Sequence, residues 1–210
     1  MRAMRISSDD PLLLRVVDDL VERGWSQQNL FVPQALTLEL AAECRKRSRE
    51  GELAPAAVGR GPGQEVREGI RGDHIQWVEP GDCAPCDRYL ELMDSLREAL
   101  NRSLFLGLEE FECHFALYPP GAFYKRHLDR FRDDDARMVS AVLYLNTEWA
   151  PGHGGELRMY LKGDVAYDVA PTGGCLVVFL SGDMPHEVLP AARDRLSLTG
   201  WFRRRGNEPF

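Results

Sequence analysis

The sequence has no apolar run approaching the roughly 20 residues that span a bilayer as a helix. Its first residues, Met-Arg-Ala-Met-Arg-Ile-Ser-Ser-Asp-Asp, lack the apolar core of a signal peptide, so a cytoplasmic protein with no membrane partner is expected. A cationic excess is missing too: 26 lysines and arginines face 33 acidic residues, a formal charge of -7. Non-specific nucleic-acid binding draws on basic side chains, so no nucleic-acid partner is expected. Cysteine is sparse, and its five copies are odd in number and without framework spacing, which fits a reducing compartment. Cys83-Ala-Pro-Cys86 matches C-x-x-C, a redox pair or half a zinc site, but no second C-x-x-C completes it and a helix begins there. No H-E-x-x-H pattern supports zinc hydrolysis. Repeats, low-complexity tracts and domain-dividing linkers are also absent.

What is present fits one domain. At 210 residues, with 44% hydrophobic and 28% charged side chains, the chain is an ordinary globular composition with room for a sizeable core. The expectation is a single domain over 1–210, with helical support in 1–108 and a β core in 109–205.

Asp10-Pro11 reads as an N-cap followed by proline at the first helical position, with Leu13, Val16, Val17 and Leu20 at helical spacing and Gly24 as the stop. A second helix follows Pro33, placing Leu36, Leu40 and Cys44 on one face and ending at Gly51. The glycine- and proline-rich stretch from Gly51 to Asp82 has room for two short strands, His74 to Val78 being the better candidate. A third helix carries Tyr89, Leu92, Met93, Leu96, Ala99 and Leu100 as one apolar stripe. From Glu109 the period changes to two: Phe111, Cys113, Phe115 and Leu117 alternate with Glu112, His114 and Ala116. Further strands are expected at Met138 to Leu145, Glu156 to Leu161, Val165 to Ala170, Cys175 to Leu180 and Arg195 to Phe202. Helices first and many short strands afterwards argue for a sandwich or jelly roll with helices on one outer face.

The chemistry centres on His127-Leu128-Asp129 and a distant His186. On a strand, side chains two apart share a face, so His127 and Asp129 can aim at one point. With His186 beside them, two imidazoles and a carboxylate form the facial triad that suits non-haem Fe(II) oxygen chemistry. The competing interpretation is a chance H-x-D surface pair with His186 at a strand end. Nine residues on, Arg195 opens a strand whose period-two face also holds Ser197, Thr199 and Trp201, with Leu196, Leu198 and Phe202 opposite. A lone arginine aimed into a barrel is costly unless it meets an anion; the alternative is an outward amphipathic strand.

Together with Ile70-Arg71-Gly72-Asp73-His74-Ile75-Gln76-Trp77, Tyr124-Lys125-Arg126-His127-Leu128-Asp129, Tyr144-Leu145-Asn146 and Pro185-His186-Glu187-Val188, these residues resemble the 2-oxoglutarate- and Fe(II)-dependent dioxygenases. Within them the chain is similar to the prolyl hydroxylases of the hypoxia-inducible-factor type, especially their bacterial relatives. The resemblance runs from about residue 65 to the C-terminal strand. It implies a mainly β fold with N-terminal helices, a double-stranded β-helix (jelly roll) with the helices packed on its major sheet. It implies that His127, Asp129 and His186 hold Fe(II), and that Arg195 and Tyr144 bind the far carboxylate of 2-oxoglutarate, with Tyr118 and Thr199 lining that pocket. Tyr124, Arg137 and Trp201 would lie near the target proline. Arg71 and Asp73 would sit on a mobile substrate loop, and the stretch from Gly61 to Asp82 would act as a lid.

The implied activity is hydroxylation of a prolyl residue in a protein or peptide, elongation factor Tu being one candidate, with release of succinate and CO2 and possible support by ascorbate. The oligomeric state stays open. Competing expectations are an oxygenase acting on another amino-acid residue or a small molecule, and a non-enzymatic β-helix binding module. Nucleic-acid demethylases typically carry a second arginine six residues after the cosubstrate arginine; here that position is Trp201.

Overall fold

The computed structural model describes residues 6–7, 9–59, 65–67, 69–130 and 136–205. The first four residues of the expected lid, Gly61 to Gln64, lie outside them, as does the start of the N-terminal stretch.

The N-terminal half is built as its sequence signals dictate. Helix α1 spans Pro11–Arg23: the Asp10 carboxylate accepts from the Leu12 amide at 2.8 Å, proline sits at the first position, and Gly24 ends the helix at φ 80°. Strand β1 (Trp25–Gln28) follows at once, then α2 (Gln34–Arg49), β2 (Ala54–Pro55), β3 (His74–Trp77) and α3 (Ala84–Leu104). The long strand β4 (Leu108–Tyr118) opens the β region, continued by β5 (Tyr124–His127), β6 (Arg137–Tyr144), β7 (Leu157–Leu161), β8 (Val165–Val169), β9 (Leu176–Leu180), β10 (His186–Val188) and β11 (Arg195–Arg204).

These strands form two antiparallel sheets. The major one runs β1-β9-β6-β11-β4-β3-β2 and the minor one β5-β10-β7-β8. The expected mainly β architecture with helices on the major sheet is therefore present. Two apolar layers follow from strand alternation. Outside the major sheet, Leu13, Leu20, Leu40, Met93 and Leu96 of the helices pack with Phe115, Val178, Leu198 and Phe202. Between the sheets, Tyr118, Val142, Tyr144 and Phe179 meet Leu157, Met159 and Val188. Each fully buried Leu or Phe stabilises the fold by roughly 1.5–3 kcal/mol. Among the described residues no helix is long and apolar enough to cross a membrane.

Several expectations need correction. The strand β1 was not expected, as Trp-Ser-Gln-Gln has no apolar alternation; it is held by pairing with β9, where Ser26 lies opposite Val178. β4 is not half-polar: His114, Ala116 and Tyr118 are as buried as Cys113 and Phe115, because helices cover one face and the minor sheet the other. β5 ends at His127, so Asp129 lies in a bend beyond the strand rather than on it. Finally, Cys83 and Cys86 are joined as a disulfide at the start of α3, where reduced thiols were expected. Cys44, Cys113 and Cys175 are free and buried.

Candidate active site

The site lies between the sheets, and register places its first two side chains. In the β5–β10 pair, His127 and His186 are direct partners, their ring centroids 4.3 Å apart. The bend after β5 then swings Asp129 back towards both. Its Oδ1 lies 3.5 Å from His127 Nε2 and 3.7 Å from His186 Nε2. All three ligating atoms fall within 4.8 Å of one another.

Each side chain is oriented from behind. His127 Nδ1 is 2.7 Å from the Lys125 carbonyl and His186 Nδ1 is 2.9 Å from that of Met184. Protonated there, both rings donate to backbone and turn Nε2 towards Asp129, the arrangement that prepares imidazole for a metal. Ser140 donates to Asp129 Oδ2 at 2.7 Å and meets Ser181 at 2.8 Å. Tyr124 stacks on His127 at 3.6 Å and Phe179 packs edge-on against His186 at 4.7 Å. Burial resists ionisation of Asp129, but His186, His127 and the Ser140 hydroxyl outweigh it and hold the carboxyl well below its usual range. Burial lowers the pKa of His186 against the opposing pull of Asp129.

The triad shares one cavity, of about 530 Å³, with Arg195. Arg195 is only 1% exposed, and among the described residues no carboxylate pairs with it. Its Nε donates to the Gly155 carbonyl at 2.7 Å, while Nη2 is buried without a partner. Gly155 sits at φ 74°, and a Cβ there would lie 3.2 Å from Arg195 Cδ, so a side chain would crowd this contact. The guanidinium carbon is 5.1 Å from the Tyr144 ring and 5.2 Å from the Tyr118 ring. The Tyr144 hydroxyl, which interacts with Arg195, is likewise buried with no well-formed hydrogen bond among the described residues, and burial raises its pKa so that it stays a donor. Buried unpaired donors beside an unpaired cation call for an anionic acceptor. The register of β11 is locked nearby: the Asn146 side chain accepts from the Leu196 amide at 2.7 Å and donates to the Leu196 carbonyl at 3.0 Å. Thr199 follows on the same wall.

Towards the open end lie the remaining expected residues. Arg71 and Asp73 form a two-pronged ion pair at 2.7 and 2.5 Å, and Arg71 lies over the Tyr124 ring at 4.5 Å. The loop carrying them is tied to β5 through Gly72 N to Phe123 O (3.0 Å) and Lys125 N to Ile70 O (2.9 Å). Arg137 stacks on Trp201 at 3.6 Å and donates to Glu112 at 3.0 Å. Trp201 Nε1 is buried and has no hydrogen-bond partner among the described residues.

Some lining residues were not anticipated. His114 sits edge-on to Trp77 at 5.1 Å and 5.5 Å from Trp201, and burial lowers its pKa to about 4. Glu112, Ser140 and Asn146 also support the site. Alternation along β4 does put Glu112 and His114 on the Tyr118 face, which is the signal that could have found them. Alternation along the strand from Met138 likewise puts Ser140 on the Tyr144 face, whereas Asn146, beyond the end of β6, left no such signal.

The donor set fits Fe(II), as two neutral imidazoles and one carboxylate on one side leave other positions open. The unpaired Arg195 and Tyr144 donors fit a carboxylate of 2-oxoglutarate. Comparisons agree. The family model of the 2OG-Fe(II) oxygenase superfamily matches residues 113–203. A crystal structure of a Pseudomonas putida prolyl-4-hydroxylase is 66% identical, covering 92% of this chain and 100% of that one, with a TM-score of 0.86. A Trichoplax adhaerens prolyl hydroxylase, in complex with a hypoxia-inducible-factor oxygen degradation domain peptide fragment, is 29% identical over 91% of this chain and 89% of its own, at 0.81. A viral collagen prolyl hydroxylase from Paramecium Bursaria Chlorella virus-1, as a 2-oxoglutarate complex, shares the fold at 20% identity over 90% and 99%, with a TM-score of 0.64.

Proposed function

Starting from a chain that belongs to the 2OG-Fe(II) oxygenase superfamily, we propose a 2-oxoglutarate-dependent prolyl hydroxylase whose substrate is a proline in a protein or peptide. The observation that carries this is the shared cavity: a His127-Asp129-His186 cluster and an uncompensated buried Arg195 line the same space. Iron, 2-oxoglutarate and dioxygen together supply the oxidation that places a hydroxyl on carbon while succinate and CO2 leave.

The chain's own groups do the binding and positioning. His127 and His186 present Nε2 because their Nδ1 atoms are engaged by backbone carbonyls. Asp129 gives one oxygen to the metal side and keeps the other on Ser140, which fixes the rotamer. Arg195 and Tyr144 would hold the far carboxylate of the cosubstrate, with Tyr118 and Thr199 lining its pocket, and so would orient it within the cavity shared with the triad. On the open side, the Tyr124, Trp201 and Arg137 surfaces receive the proline-bearing segment. The buried Trp201 N–H has no partner among the described residues, so a peptide carbonyl can accept from it. The Arg71–Asp73 loop, tied to β5 and lining the cavity through Arg71, borders that segment.

The resemblance makes elongation factor Tu the first target to try. Incubation with Fe(II), 2-oxoglutarate and that protein, and separately with a cell lysate, is followed by mass spectrometry for residues that gain one oxygen. Hydroxyproline is the expected product. Oxygen on a lysine or a nucleobase would overturn the substrate assignment.

A further inference from the structure

The active site makes no use of the Cys83–Cys86 pair. We propose that it is a reversible thiol–disulfide exchange site, reduced by a dithiol, whose state reaches the substrate cavity through Arg47. Three observations carry this. Cys83 is half-buried between the exposed Asp82 and Ala84, whereas Cys86 is 1% exposed, so an incoming thiolate can reach only the first sulfur. The pair sits at the start of a 21-residue helix, with the Cys86 amide donating to Cys83 Sγ at 3.1 Å, where backbone N–H groups and the helix dipole favour a thiolate. The buried Arg47 guanidinium lies 3.9 Å from Cys86 Sγ, beside the sulfur that must leave.

A structural staple is the weaker account. Two cysteines three positions apart close almost no chain, and a disulfide's effect on the unfolded state grows with loop length. The exchange balances as follows. A dithiol's thiolate attacks Cys83 Sγ, the S–S bond breaks, and Cys86 leaves as a thiolate facing Arg47. The reagent's second thiol then displaces Cys83 and closes to a disulfide. Two electrons and two protons pass from reagent to protein. Arg47 also donates to Gln76 of β3 and to Asp82, each at 3.3 Å. A thiolate at Cys86 competes for that cation, and the neighbours of Gln76, Ile75 and Trp77, line the cavity.

The test labels the folded protein with iodoacetamide before and after dithiothreitol. Cys83 is expected to label only after reduction, with Cys86, Cys44, Cys113 and Cys175 protected throughout by burial, which also raises the thiol pKa of Cys44 to about 12 and of Cys175 to about 11. Glutathione disulfide should form a mixed disulfide with reduced Cys86→Ser but not with reduced Cys83→Ser. Labelling before reduction, a pair that resists dithiothreitol in the folded protein, or equal trapping by both variants would overturn the exchange site. These readouts do not depend on the substrate. The link to the cavity rests on the prolyl-peptide reading: peptide KM should differ severalfold between the oxidised and reduced wild type, and not in the Cys83→Ser/Cys86→Ser double variant. Equal KM in both states of an active wild type would overturn the link alone.

Discussion

His127 and His186 are register partners across the β5–β10 pair, so the hydrogen-bond ladder itself sets the spacing of the two imidazoles. Asp129, by contrast, is placed by a bend and by Ser140. Strand pairing thus sets the two imidazoles, whereas Asp129 takes its place from side-chain contacts, Ser140 among them.

That dependence predicts the effect of Ser140→Ala. Removing a group that orients a metal ligand typically costs 10–100-fold in metal affinity. Fe(II) binding should weaken by about that factor with unchanged circular dichroism, and excess iron should restore most of the turnover.

Arg195→Lys should act on the cosubstrate. The lysine keeps the charge but loses the fork that two carboxylate oxygens require. Loss of one charge-assisted hydrogen bond, about 1.5–3 kcal/mol, corresponds to a rise in 2-oxoglutarate KM of roughly 10- to 150-fold. Peptide KM should move little, as steady-state kinetics at saturating 2-oxoglutarate will check. Tyr144→Phe should shift the same constant by a smaller factor.

At the open end the opposite split is expected. Trp201→Phe keeps an aromatic surface for Arg137 but removes the unpaired N–H, so peptide KM should rise about 5- to 10-fold, the worth of roughly one neutral hydrogen bond. Anaerobic 2-oxoglutarate binding, followed by calorimetry, should be unchanged.

Stability should fall with acid before carboxylates titrate. Burial lowers the pKa of His114 from 6.5 to about 4, so between those values the unfolded chain binds the extra proton. The contribution is fully present above pH 6.5 and is lost as pH falls towards 4, up to roughly 3 kcal/mol at 1.36 kcal/mol per unit. Urea midpoints measured across this window should drop for the wild type and flatten for His114→Phe.

Much of this was legible from residue order. Caps and 3.6-residue spacing marked α1, α2 and α3, because those signals are local. The β11 alternation placed Arg195, Ser197 and Trp201 on one face for the same reason. What stayed hidden depends on partners distant in sequence. Trp25 to Gln28 is a strand only because β9 lies beside it, and His114 is buried beside Trp77 and Trp201, which the strands on either side of β4 supply. The bend that brings Asp129 to His127 follows no period, although the pairing of residue types had already marked it.

The most direct test of the account measures succinate and hydroxyproline together, with purified enzyme, Fe(II), 2-oxoglutarate, dioxygen and a proline-bearing substrate. The two products are expected to accumulate in a one-to-one ratio with the wild type, and both to vanish with His127→Ala. Full turnover by His127→Ala in iron-replete buffer, or succinate matched by oxygen on a residue other than proline, would contradict it.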